Sequence, residues 1–290
     1  MRFGQPRFAS VNAALNDRAA AVGTLVVVHR GTASGSIVEN TPEAVVAALA
    51  SGGDVVEIDA VASTDGEFFA FHDGNEARLL GGGADLRTLT AREIRDQRYV
   101  HVDRPGREAR VAPLLELLAG APADALINVD RSWDWWETLL PALDGLDMAG
   151  RVLLKCRARD AGRVDVLREH AVKYPFLPIC TTVEHAQRYL SDPELNTVGV
   201  ELVATDASSP FLDAALVADL HARGVFVMVN AEVLSTGVPL FAGHDDERAV
   251  LDSPEAGWGP LFDLGVDAIQ TDWPWLLRDH RAARRALVPA

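Results

Sequence analysis

The chain has 290 residues, 48% of them apolar, which is enough core for one large α/β unit. Its 42 acidic side chains outnumber 27 basic ones, giving a formal net charge of −15. Such an excess disfavours nonspecific binding to nucleic acid or to anionic membranes, so an anionic ligand has to be drawn by local positive groups or by a bound cation.

In chain order, the first apolar β-branched run spans 25–29 and ends at His29. Thr41 then precedes Pro42, an N-cap followed by proline at the first helical position, which predicts a helix over 42–50. A second strand is predicted over 54–59. Further strands follow at 125–130, 151–155, 177–181, 197–201, 225–230 and 267–271. Helical patterns lie between them, among them 211–222 before Gly224 and 258–264 before Gly265.

Eight near-continuous apolar strands alternating with helices imply a parallel sheet covered by helices. With eight units, the economical architecture is a closed (β/α)8 TIM barrel forming a single domain over 1–290, ahead of an open doubly wound sheet. Two stretches exceed an ordinary βα loop. One is an insertion after the second strand (about 62–111), with Gly81–Gly83 and the helix-like LTAREIRDQ at 89–97. The other is 234–257, a loop after the seventh strand that is placed to act as a lid or as a passive insertion.

The first 16 residues have no apolar leader pattern and no run approaches the ~20 residues needed to cross a bilayer, so a cytoplasmic protein is expected. Cys156 and Cys180 are expected to be reduced thiols at strand edges.

Polar residues collect where the strands end: His29, Glu57 and Asp59, Asp130, Lys155, Thr181, Glu201, Asn230 and Asp272. Barrel enzymes place their chemistry at the carboxyl ends of the strands. Glu57 and Asp59 lie two apart in one strand and so share a face, ~6–7 Å apart along the chain. Two such carboxylates repel unless a proton or a cation separates them. His72 ends another apolar run, FFAFHDG at 68–74. Oxygen ligands for a hard cation together with two imidazoles suit metal-assisted phosphoryl or acyl hydrolysis.

These motifs resemble the glycerophosphodiester phosphodiesterase family. His29–Arg30–Gly31, Glu39–Asn40–Thr41, Glu57–Ile58–Asp59, the segment from Ser63–Thr64–Asp65–Gly66 to His72–Asp73, and GVDAIQTDWP at 265–274 follow its order and spacing across nearly the whole chain. The resemblance implies a TIM barrel and one divalent cation, Ca²⁺ or Mg²⁺. It also implies hydrolysis of glycerophosphodiesters to glycerol 3-phosphate and an alcohol. It makes Glu57, Asp59 and Asp130 the metal ligands, His29 and His72 the acid/base pair, and Arg30 the phosphate contact. The sequence departs from the family pattern in three places: Ser132 stands where a lysine is usual, Val38 replaces a proline, and the strand at 225–230 lacks an aromatic near its end.

Lys155 can supply the missing positive charge, contacting phosphate or pairing with Glu201 or Asp130. Glu201 and Asn230 are further candidates for touching substrate, and Asp130 has a helix N-cap as its alternative role. Trp133, Trp135 and Trp136 are expected to pack a helix, with an aromatic wall for a choline-like cation as the second reading. The remaining histidines are expected on the surface, His244 in the rim loop. Alternative functions are a transferase releasing a cyclic phosphate, a sugar-phosphodiester hydrolase, and a non-catalytic phosphodiester-binding barrel.

Overall fold

The computed structural model describes residues 2–287 except 102, 103 and 105. Ten strands are present: β1 Leu25–Val28, β2 Val55–Ala62, β3 Phe68–Ala70, β4 Ala112–Pro113, β5 Leu126–Asp130, β6 Val152–Arg157, β7 Phe176–Cys180, β8 Gly199–Leu202, β9 Phe226–Asn230 and β10 Ala268–Thr271. β1, β2 and β5 to β10 are all parallel, and β1 pairs with both β10 and β2, which closes an eight-stranded TIM barrel. The predicted strands occur at all eight positions. His29 falls just beyond β1, while β2 runs to Ala62, past the barrel.

That extension of β2 explains the insertion. Its last residues pair antiparallel with β3, Ala60 opposite Ala70, and β3 pairs with β4. The hairpin covers a small core of its own, in which Val61, Phe69, Phe71, Leu86, Ile94, Tyr99 and Val111 pack together.

Side-chain alternation sorts each strand into two faces. Val26, Val28, Val56, Ile58, Ile127, Val129, Leu154, Val227, Val229 and Ile269 belong to the layer shared with the outer helices. Leu25, Val27, Val55, Leu126, Leu153, Leu177, Phe226, Met228 and Ala268 form a separate inner cluster, to which Phe3 and Leu15 also belong. Two residues further along the same inner face the chemistry turns polar, with Glu57, Asn128, Lys155, Asn230 and Gln270 all buried. The barrel therefore has a dry lower half and a charged upper half.

Thr41 caps the helix Pro42–Ala50 by accepting from Ala44 N at 3.2 Å. The helix predicted over 211–222 is divided at Asp213, whose carboxylate accepts from Ala215 N and starts Ala214–Ala222 after the 3₁₀ turn Pro210–Leu212. Gly265 (φ 83°) ends Gly259–Leu264 in the left-handed conformation that glycine accepts without strain. The loop after β9 carries its own helix, Asp246–Leu251. Cys156 and Cys180 are free and buried. Among the described residues, no helix is long and apolar enough to cross a membrane.

Candidate active site

The turn after β1 begins the site. Arg30 (φ 55°) and Gly31 (φ 66°) are consecutive left-handed residues. They fold the chain back so that Arg30 N donates to Glu57 Oε2 at 2.7 Å and Gly31 N donates to Glu57 O at 2.9 Å. A Cβ on Gly31 would lie 2.7 Å from Ala44 Cβ, so side chains are excluded on space as well as on φ. Asn40 N donates to Arg30 O at 2.8 Å, and the Asn40 amide both donates to Asp59 Oδ2 (3.0 Å) and accepts from Asp59 N (2.9 Å). The two short sequence motifs thus form one hydrogen-bonded loop that clamps the end of β2.

Parallel register brings Glu57 beside Asn128 and Asp59 beside Asp130. Burial, then the neighbouring Asp59, push the Glu57 carboxyl well above the usual carboxylate range. Glu57 Oε1 is buried without a hydrogen-bond partner among the described residues. Lys155, 1% exposed, places Nζ 2.8 Å from Asp130 Oδ2 and 2.9 Å from Glu201 Oε2. Burial works against the ammonium, but these carboxylates outweigh it and raise its pKa. Lys155 in turn holds Asp130 below its ordinary value despite burial. Glu201 Oε1 also accepts from Asn230 Nδ2 at 2.7 Å.

Arg30 is equally engaged. Its guanidinium donates to Glu39 at 2.9 Å and lies 3.3 Å from Asp59 Oδ2. Among the described residues no group of three or more His, Cys, Asp or Glu is arranged to hold a metal ion. Glu57 and Asp59 share the inner face as the sequence implies, while Asp130 is turned to Lys155.

His29 Nδ1 lies 2.9 Å from Asp272 Oδ1. Burial opposes its charge, but the bond to Asp272 and the fields of Glu232, Asp272 and Glu57 lift its pKa to about 10. His72 Nδ1 lies 2.7 Å from the Asp73 carbonyl oxygen. A carbonyl only accepts, so Nδ1 carries a proton, and in the neutral ring it is Nε2 that holds the lone pair. All nine residues singled out from the sequence, His29, Arg30, Glu57, Asp59, His72, Asp130, Lys155, Glu201 and Asn230, line one cavity of about 310 Å³ at the carboxyl ends of the strands.

Asp272, placed at a strand end by the sequence but given no role there, is the partner of His29. Two further residues of the site were not singled out from the sequence. Asp246, buried in the rim loop, accepts from Trp258 Nε1, Thr271 Oγ1 and Asp272 N, fixing Asp272 in turn. Glu232 is fully buried with Oε1 accepting from Gln270 at 2.9 Å, and burial pushes its pKa to about 7. No periodicity marks it, because it follows β9 as a single acid in a loop.

The glycerophosphoryl diester phosphodiesterase family model matches residues 29–275. The chain belongs to that family. It is accordingly a phosphoric diester hydrolase. No curated protein matches the sequence. Among solved structures, a glycerophosphoryl diester phosphodiesterase from Parabacteroides distasonis is 20% identical, with 92% of this chain and 88% of that chain covered at a TM-score of 0.65. A phosphodiesterase from Oleispira antarctica, solved with its product sn-glycerol-3-phosphate, is 18% identical, with 92% and 99% covered and a TM-score of 0.65. A third, from Agrobacterium tumefaciens, is 19% identical over 88% and 99% at 0.63. At these identities the likeness establishes the fold.

The departure from the family pattern at 132 has a local explanation. Ser132 is buried, donating to Val129 O and accepting from Trp136 Nε1 at 3.0 Å, so it ties the helix Trp136–Asp144 to β5. The charge that this phosphodiesterase lacks at 132 arrives beside Asp130 from the adjacent strand, as Lys155. Trp136 packs edge-on against Phe176, the helix-packing role expected of it.

Proposed function

We propose that the protein hydrolyses glycerophosphodiesters to glycerol 3-phosphate and an alcohol with the help of one divalent cation, Ca²⁺ or Mg²⁺, and the His29/His72 pair. The observation that carries the reading is the meeting of two differently held imidazoles and the Glu57–Asp59 face in one cavity. Family membership and the product bound to the Oleispira antarctica relative support the substrate class.

The residues fit a hard cation. Glu57 offers a buried oxygen without a partner among the described residues, two positions from the Asp59 carboxylate on the same strand face. Glu57 and Asp59 would hold the ion, with Asp130 contributing where it is shared with Lys155. When bound, the cation would supply positive charge to the phosphate oxygens.

His72, with Nε2 free, acts as general base and takes a proton from the attacking water. His29, kept as an imidazolium by Asp272, delivers a proton to the leaving alcohol oxygen as its bond to phosphorus breaks. Arg30 contributes a fork-shaped contact to the phosphate, exchanging part of its pairing with Glu39 and Asp59. Lys155 neutralises the acidic floor, and Glu201 and Asn230 bound the pocket on its far side.

Phosphorus NMR of the reaction tests this. The expected result is direct conversion of a glycerophosphodiester to a monoester signal with added Mg²⁺ or Ca²⁺, and none with EDTA. A persistent cyclic phosphate would show the substrate's own hydroxyl to be the nucleophile, and binding without turnover would contradict the hydrolytic reading.

A further inference from the structure

The mouth of the cavity is charged oppositely to the rest of the chain along one edge. Arg131 follows β5, Arg157 ends β6, Arg159 lies two residues on, and His185 sits in the helix Val183–Arg188 after β7; all four line the cavity beside Trp133. Of the acidic lining residues, Glu57, Asp59, Glu201 and Glu232 are buried and Asp130 is partly exposed beside Lys155, and none belongs to this edge above Asp130.

The Arg157 and Arg159 guanidiniums share one carboxylate, Asp160, at 3.9 and 3.8 Å, the outer limit of an ion pair. Among the described residues neither donates a side-chain hydrogen bond. Their side chains are 46% and 68% exposed, open to a ligand at the mouth. Arg157 also lies over the Trp133 ring, 5.3 Å from its centroid. The aromatic face available to an ammonium head group is therefore already covered by a cation. Arg131 is anchored on Asp73 at 2.6 Å and adds to the same field.

Resting on the reading of this cavity as a phosphodiester site, we propose that Arg157 and Arg159 form a head-group subsite that selects diesters whose alcohol carries a negative charge of its own. Two strand spacings, ~10 Å, separate β2 from β6, within reach of a polyol head group whose phosphodiester lies over Glu57 and Asp59. A terminal phosphate or a carboxylate gains fork-shaped contacts there. A choline or ethanolamine head group meets two guanidinium cations. In a chain of net charge −15, this local edge is also what draws a multiply charged substrate to the mouth.

The test compares kcat/KM for glycerophosphocholine, glycerophosphoglycerate and glycerophosphoglycerol bearing a terminal phosphate, with the parent protein and with R157E/R159E and R157Q/R159Q. The parent is expected to favour the two anionic head groups, and the charge-reversed variant to lower the anionic-to-choline ratio by about tenfold or more, with the glutamine variant between. Preference for the phosphate over the carboxylate, or the reverse, identifies which anion the subsite takes. A parent that turns over all three diesters alike, or variants that leave the ratio unchanged while all rates fall together, would overturn the subsite and leave the hydrolytic reading standing. No turnover of any diester by the parent would remove both. Unchanged thermal unfolding of the exposed glutamine variant separates a loss of selectivity from a loss of fold.

Discussion

Lys155 and Asp130 occupy neighbouring strands with Nζ and Oδ2 2.8 Å apart, and the same ammonium reaches Glu201 at 2.9 Å. Removing one member of a buried ion pair leaves the others uncompensated, which costs about 3–5 kcal/mol. Lys155→Met is expected to destabilise the protein by that order in urea unfolding. Adding Asp130→Asn to it should restore part of the loss, because one stranded carboxylate disappears. Additive losses in the double variant would show that the pair is not coupled.

The sequence offered Lys155 two roles, a phosphate contact or a pairing with Glu201 or Asp130, and topology decides that it pairs with both acids. Strand periodicity puts it on the inner face of β6, two residues before the strand ends. The cross-strand meeting with Asp130 depends on the β5–β6 stagger, in which Val129 faces Leu154. The eight barrel strands, the capped helix after Thr41 and most of the nine cavity residues were legible because alternation and strand-end placement are local, while Arg30 was legible only through the family resemblance. Asp246, Glu232 and the arginine edge were not, since their meeting with the site depends on segments after β5, β6 and β9 whose course is fixed by contacts far away in sequence. The partner of His29 lies 243 residues on, joined to it only by the closure of β1 against β10.

Asp272→Asn removes the carboxylate that keeps His29 protonated. His29 is raised from 6.5 to about 10, so an acid role is available up to that pH. In the variant the histidine titrates lower, and the alkaline limb of the kcat/KM profile is expected to move to lower pH. The loss should be larger at pH 9 than at pH 6. A uniform loss at all pH values would show that Asp272 acts on something other than the His29 proton.

Glu232 has its pKa raised by burial from 4.5 to about 7. A raised carboxyl favours the protonated folded state, so the penalty is absent below pH 4.5, grows as pH rises towards 7 and is constant above. Glu232→Gln should therefore stabilise the protein at pH 8 by an amount on the order of 3 kcal/mol and leave it unchanged at pH 4. Thermal unfolding at the two pH values checks this, and an equal gain at both would place the effect outside the ionisation.

Gly31→Ala forces a Cβ against Ala44 at a backbone angle of φ 66°. A loss of about 1–3 kcal/mol is expected, with reduced cation affinity because the turn donates to both the backbone and the side chain of Glu57. Calorimetric titration with Mg²⁺ and Ca²⁺ reads the second effect without turnover.

The most direct test of the two-histidine account is the single-turnover rate of His29→Ala and His72→Ala on a glycerophosphodiester with saturating Mg²⁺ or Ca²⁺. Each variant should fall by ~10²–10⁴-fold while keeping its fold and its cation affinity. Parent-like rates in both variants would contradict the assignment of proton transfer to this pair.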